Sequence, residues 1–450
     1  MKRPLTFTTI LVLSLILAGV SPGLARRALT VAEARRLALE FNRTFLQARE
    51  GVRIAEADVT KARAGAFPNV SFNGSYNRSF ILPSFFVQAT DDEGQTESIE
   101  FKTGFKNSYG ANLSVVQSIW QGGKVFTALS IAKDYRRYSQ AVEDRVAATV
   151  VFNSDVLFYD AILQRSRLEV LTKSHEAVSE NLEVVEKMFS QGLVPEFEVL
   201  RARVEKSNLE PQILLAESDL KLARKRLKSF LGLDLDEDIE LIQEPELESI
   251  PSLPSVDSMV TLALADRPEM KEATFERDMR RKAIRIARAD YWPSLSAVAS
   301  YDWQAQSDRF TLDENISRSW TAGLRLTVPI FRGGRTRGSV TQAVAEHNQT
   351  LLRVQQTRDN IRLEVEQAYD RLLQARQSLE SQKNTIALAE EVLRIADLSY
   401  ESGVGTLLDV LSAQAALTQA RELLAQATFT YRTARAGLKL ATTIDLDKLQ

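Results

Sequence analysis

The sequence has no cysteine and only two histidines, His175 and His347. Without cysteine there is no disulfide, no thiol nucleophile, no Cys-bound metal and no lipid-acceptor thiol. The two histidines stand far apart, His175 on an apolar helical seam and His347 in "AEHNQT". Gly-x-Ser-x-Gly and His-Glu-x-x-His are both missing. A phosphate-binding loop needs a glycine five residues before its Gly-Lys and Ser or Thr after it. Ser118 and Val125 hold those places around Gly123-Lys124, and Pro329 and Arg335 spoil the second Gly-Gly. No enzyme, cofactor or metal site is expected. A net charge of −2 gives no footing for nucleic acid. Past residue 25 no run of 18 apolar residues occurs, so no transmembrane helix is expected.

What is present begins with "MKRPLTFTTILVLSLILAGVSPGLA". Lys2 and Arg3 precede an apolar stretch from Leu5 to Val20, and Gly23 and Ala25 are small residues suited to signal peptidase. Residues 1–25 are therefore expected to be a cleaved export signal. An exported chain with neither helical nor lipid anchor is soluble, surface-bound or a membrane β-barrel.

The chain repeats itself. "ARAGAFPNVSFNGSY" from Ala62 returns as "ARADYWPSLSAVASY" from Ala287. "LSVVQSIWQGGK" from Leu113 returns as "LRLTVPIFRGGR" from Leu324, and "FSQGLVPEFEVL" from Phe189 as "YESGVGTLLDVL" from Tyr400. The offset is 225 for the first pair and 211 for the others, so the first half holds 14 extra residues. They fall within 77–108, where "DDEGQTESIE" reads as an acidic loop. The expected divisions are a first repeat over 26–231, a linker over 232–255, a second repeat over 256–440 and a tail over 441–450.

Each half opens with a helical stretch of about 35 residues, near Val31–Gly65 and Val256–Asp290, the first started by the capping box "TVAE". Two alternating runs and a Gly-Gly pair follow. Residues 125–191 and 339–402 then lack both Gly and Pro. Leu168, Leu171, His175, Val178, Leu182, Val185 and Phe189 step by three and four, as do Leu379, Gln382, Ile386, Ala389, Leu393, Ala396 and Tyr400. This is the seam of a long antiparallel coiled coil. About 67 residues at 1.5 Å each span roughly 100 Å. The incoming and returning helices, each half as long, would stack end to end beside the long one. Pro211 should kink or break the first returning helix.

The alternating runs separate two faces. Leu295, Ala297, Ala299, Tyr301 and Trp303 oppose Ser296, Val298, Ser300 and Asp302. Trp320, Ala322, Leu324, Leu326, Val328 and Ile330 oppose Thr321, Gly323, Arg325, Thr327 and Pro329. Strands of about ten residues with one apolar face suit a membrane β-barrel. Aromatics mark both ends: Phe67, Trp120, Trp292 and Phe331 next to the helices, and Tyr76, Tyr301, Trp303 and Trp320 at the far end. Four strands leave edges unpaired in lipid, so the barrel must be shared, with 8, 12 or 16 strands from two, three or four copies.

In the order and spacing of these parts the chain resembles the TolC family of outer-membrane efflux proteins over essentially its whole mature length. The resemblance implies a fold of long antiparallel helices forming an α-barrel, with four strands per chain in a shared 12-stranded barrel of a homotrimer. It implies an exit duct in the outer membrane, with its lipid around it and a long periplasmic domain, serving efflux or type I secretion with a periplasmic adaptor and an inner-membrane pump. Gly192, Leu193, Gly403 and Val404 match the helix tips that meet the adaptor. Asp409 matches an acid ringing the periplasmic mouth, and Glu198 is its counterpart in the first half. Three such carboxylates would attract cations and make a cation-sensitive gate. Ser412 stands where members can carry a second acid, and Gly405 where some carry arginine. Both departures weigh against a tightly latched mouth. The competing reading, a soluble periplasmic coiled-coil scaffold or adaptor, accounts for the signal and the heptads but leaves the four amphipathic strands unexplained.

Overall fold

The computed structural model describes residues 27–90, 96–243, 254–312 and 315–443. The expected export signal lies outside them. The two halves share one order of parts. The first runs β1 (Arg27–Leu29), α1 (Val31–Phe41), α2 (Arg43–Ala64), β2 (Asn69–Arg78), β3 (Ser84–Thr90), β4 (Thr96–Lys102), β5 (Asn107–Gln121), α3 (Lys124–Ser190) and α4 (Glu196–Leu231). The short β6 (Ile239–Leu241) precedes α5 (Val256–Asp266), α6 (Pro268–Ala289), β7 (Ser294–Ser307), β8 (Ile316–Thr327), α7 (Arg335–Glu401) and α8 (Leu407–Thr442).

The repeat holds to the residue in the helices. α3 and α7 have 67 residues each, and α4 and α8 have 36. Each long helix starts after a Gly-Gly pair in the left-handed region, with φ of 60° and 81° at Gly122 and Gly123 and 56° and 81° at Gly333 and Gly334. A side chain there would meet the Cβ–carbonyl clash that makes this region costly for other residues. The chain can thus turn from strand to helix in two residues.

The incoming stretch is not one helix in either half. α1 and α2 have 11 and 22 residues, as do α5 and α6, and a single extended residue parts them: Asn42 (ψ 123°) and Arg267 (ψ 133°). Asn42 Oδ1 accepts from the Thr44 and Phe45 amides and so caps α2, while its Nδ2 donates to the Phe230 carbonyl. Arg267 precedes Pro268, which disfavours helical backbone before it and then serves as the first helical residue. At the start of α1 the Thr30 hydroxyl accepts from the Glu33 amide. Glu33 turns its carboxylate to Arg27 and Arg36 instead of completing the expected box.

Pro211 lies inside α4, which continues through it. Leu209, Ile213 and Ala216 pack on Leu168, Leu171 and Val178 of α3 on both sides of the proline, and this contact outweighs one lost backbone bond. Leu171, Val178 and Val185 of the heptad seam are buried as core, whereas Phe189 at its end is exposed. Nearer the tip, Val185 packs with Val199 and Ala202. Side by side the helices run α2–α3–α6–α7 next to the strands and α4–α3–α8–α7 next to the tips. Arg145–Glu272 (2.7 Å) and Arg167–Glu422 (3.1 Å) join the halves, together with the Lys282–Asp134 pair. α3 contains one stretch apolar enough by composition to cross a membrane, contrary to expectation. Its apolar residues Val150, Phe158, Ala161 and Ile162 belong to the core beneath α1 and α4.

The segment expected to link the halves folds back in part. β6 pairs in parallel with β1, and Ile239 and Leu241 enter the α1–α3–α4 core. Residues 244–253 lie outside the described ones. The extra residues of the first half are not simply a loop: β3 and β4 form a separate hairpin, with Phe85 stacked on Phe101. Residues 91–95 of the acidic run lie outside the described residues, and Thr96–Glu100 are in β4.

Candidate functional site: a two-faced sheet and a helical mouth

The four longer strands form one antiparallel sheet in the order β2–β5–β7–β8, open at β2 and β8. Register decides which side chains share a face. The row Phe72, Leu113, Tyr301, Trp320 is directly paired, as is Val70, Val115, Ala299, Ala322. These rows build one continuous apolar face. The other face is polar and hydrogen-bonded across strands. Ser71 and Ser114 hydroxyls lie 2.7 Å apart, Asn112 donates to Asp302 at 2.6 Å, and Ser300 meets Thr321 at 2.9 Å.

Trp120 reaches the apolar face only through an irregularity. By strict alternation from Leu113 and Val115 it would point with Ser114 to the polar side. The register shifts between Ser118 and Trp120, leaving Ile119 as the extra residue, and Trp120 pairs with Leu295 of the apolar row. The other helix-end aromatics, Phe67, Trp292 and Phe331, are all exposed. At the far end Trp320 pairs with Tyr301, and Trp303 pairs with Arg318. Phe310 was not anticipated there; its ring packs edge-on against Tyr76 and Tyr109. β8 stops at Thr327, before Pro329, so Val328 and Ile330 lie beyond the strand on which they were expected.

At the opposite end the two tips have the same build. Gly192 and Gly403 are left-handed (φ 72° and 76°), and the amides of Leu193 and Val404 return to the carbonyls of Met188 and Ser399. This is the Schellman closure of a helix. Leu193 (68% exposed) and Val404 (87%) project from the turns.

Asp409 begins α8 in a full capping box: its Oδ2 accepts from the Thr406 amide (2.9 Å) and hydroxyl (2.7 Å), and the Thr406 hydroxyl accepts from the Asp409 amide. The hydroxyl and amide of Thr406 hold the Asp409 carboxyl below its ordinary range. Glu198 lies in the first turn of α4, and its Oε2 has no hydrogen-bond partner among the described residues. The helix starts that carry Asp409 and Glu198 share one core cluster, in which Val199 and Ala202 pack with Leu407 and Leu411. Glu198 faces Tyr400, whose hydroxyl is pushed up by burial and by this carboxylate. Tyr400 Oη also donates to Met188 Sδ at 3.7 Å, which ties the end of α7 to the end of α3.

Gly405 has no room for a side chain. A Cβ there would lie 2.9 Å from Ser399 Cβ and 3.1 Å from both Ser399 C and Tyr400 N. The absence of arginine here is thus built into the backbone of the turn. His175 lies on α3 and His347 on α7, and among the described residues no group of three His, Cys, Asp or Glu could hold a metal.

Residues 34–233 and 259–443 match the family described as outer membrane efflux protein. Nodulation protein T of Rhizobium leguminosarum bv. trifolii is 24% identical over 88% of this chain and 81% of that protein. Outer membrane protein TolC of Escherichia coli K12 is 22% identical over 74% of this chain and 69% of that protein. Among solved structures, CusC superposes with a TM-score of 0.74 at 20% identity, covering 92% of this chain and 91% of that one. The two-faced sheet, the paired 67-residue helices and these matches agree, and the chain belongs to the outer membrane efflux protein family, as an outer-membrane exit channel of an efflux system.

Proposed function

We propose that three copies close head to tail into one duct, with the sheet in the outer membrane and the helices in the periplasm. The observation that carries this reading is the open four-stranded sheet with one apolar face. In lipid, β2 and β8 must pair with something, and the β8 of one copy and the β2 of the next are the available edges. The helices make the same demand. α2 and α4 flank α3 on one side of the chain, while α7 bounds the other. Exposed Val204, Leu214 and Leu215 on α4 and Leu388, Val392 and Ile395 on α7 supply complementary apolar edges. Two different edges that fit each other make a head-to-tail contact, which closes as a ring when the rotation per copy allows.

In such a ring the apolar rows face lipid and the Ser-Asn-Asp-Thr ladder faces the lumen. The aromatic residues at the strand ends form the interfacial belts. The tips at Gly192, Leu193, Gly403 and Val404 dock a periplasmic adaptor, which couples the duct to an inner-membrane pump. Asp409, with Glu198 behind it, rings the mouth and draws cations.

The absence of cysteine makes the test direct. A cysteine on each of β2 and β8, scanned for register, should cross-link detergent-extracted chains into a ladder that ends at three. A ladder ending at two or four would refute the trimer. A monomer released by salt without detergent would refute the channel and support a soluble scaffold.

A further inference from the structure

We propose that a collar of cations beneath the helix-end aromatics binds the anionic headgroups of the phospholipid leaflet surrounding that end of the barrel. This inference rests on the membrane-barrel reading above.

The chain crosses between sheet and helices four times, at 63–67, 122–126, 285–292 and 331–337. These short segments hold seven cations and a single acid, Asp290, although the whole chain has a net charge of −2. Lys124 (2.5 Å) and Arg332 (3.5 Å) share that acid. The other five, Arg63, Arg285, Arg288, Arg335 and Arg337, are exposed and have no acidic partner among the described residues. Seven against one leaves six positive charges per chain and eighteen in a ring of three.

The position of this charge gives it meaning. Phe67, Trp292 and Phe331 are exposed and lie within a few residues of Arg63, Arg288 and Arg332. An aromatic at the edge of the apolar band with arginine just beyond it is how a side chain buries its stem while its charge reaches phosphate. α3 and α7 also start without any acid in their first turns and without a side-chain cap. The positive end of each helix dipole therefore adds to the collar instead of being offset. Concentrated cations at a membrane edge fit anionic lipid, and each contributes measurably near such a surface.

The full chain is tested in vesicles of phosphatidylcholine with phosphatidylglycerol, either lipid being supplied with brominated acyl chains that quench tryptophan. Trp303→Phe and Trp320→Phe leave Trp120 and Trp292 as reporters of the helix end. Brominated phosphatidylglycerol should compete about fivefold better than brominated phosphatidylcholine at low salt, the effect of roughly one surface cation. The preference should fall toward one in 1 M salt. It should fall measurably in the triple variant Arg288→Gln, Arg335→Gln, Arg337→Gln, which removes three of the six net charges, and persist in the matching triple lysine variant. Equal competition by the two lipids in inserted protein overturns the collar, as does a preference that is undiminished in the glutamine variant. If neither lipid quenches, the chain has not entered the bilayer, and the barrel reading falls together with the collar. Should the glutamine variant misfold, the salt titration of the parent protein and the lysine variant still decide.

Discussion

The turn at Gly405 allows a prediction whose size follows from geometry. The amides of Val404 and Gly405 both donate to the Ser399 carbonyl, at 3.0 and 2.8 Å. Replacing Gly405 by alanine would place a Cβ 2.9 Å from Ser399 Cβ, where ordinary contact begins at 3.4 Å. The turn must therefore open by about half an ångström, against backbone that cannot rotate out of the way. Overpacking of this kind costs about 1–3 kcal/mol. Hydrogen exchange at the Val404 and Gly405 amides reports the local opening, and the loss corresponds to about 5- to 150-fold faster exchange. Two neighbours serve as controls. Gly403→Ala meets open space but keeps a φ of 76°, so only backbone strain of about 1–2 kcal/mol applies. Gly338→Ala, in α7 with nothing within 4 Å and no left-handed φ, should stabilise its helix by about 0.4–1 kcal/mol. Unchanged exchange at Val404 and Gly405 in Gly405→Ala would refute the close-packed turn, and with it the steric reason for having no arginine there.

Phe158 is fully buried between α1, α3 and α4, and Phe158→Ala should cost about 3–5 kcal/mol, read as a lower melting temperature of the extracted particle; an unshifted melt contradicts that core. Asp409→Asn removes the charge but keeps an oxygen for Thr406, so α8 should keep its start while the channel loses cation preference in a planar bilayer; unaltered selectivity rejects the gate. Burial alone would raise the Glu269 pKa, but its hydrogen bond to Arg267 holds it below 4.5. A lowered folded pKa stabilises above the unfolded pKa and loses that contribution as pH falls through the folded value. Acid unfolding below pH 4.5 should therefore be shallower in Glu269→Gln than in the parent, and parallel curves would exclude Glu269 as a contributor.

Much of the fold was legible because its signals are local and long. A stretch free of Gly and Pro gives α3 and α7 their length, and paired glycines fix where they begin. Alternation identified the apolar face of β7 because every second residue from Leu295 to Trp303 obeys it. The features that escaped depend on partners distant in sequence. The Ile119 bulge is defined only against β7. The break at Asn42 needs the Phe230 carbonyl, 188 residues away, to hold it. Pro211 reads as a breaker because its cost is local, whereas the α3 surface that overrides it is not. The β3–β4 hairpin did carry a signal: Phe85 and Val87 alternate before "DDEG", and Ile99 and Phe101 alternate after it. Of the mouth, the tip glycines were visible in sequence. The Tyr400–Met188 contact was not, since it joins helix ends 212 residues apart, and the steric closure at Gly405 was not, since it depends on the folded path of the turn back onto Ser399 and Tyr400.

The equal lengths of α3 and α7 act as a ruler written twice. One residue inserted into either would lower its tip by about 1.5 Å and turn everything beyond it by about 100°. Its seam would then leave its neighbour, and the two tips would no longer lie level. Seven residues added to both long helices, and matched in α4 and α8, make the smallest change that lengthens the duct while keeping its seams aligned. Single insertions and deletions among relatives should accordingly gather near the β3–β4 hairpin and the 232–255 connection, and the height of the helical part should change in whole heptads.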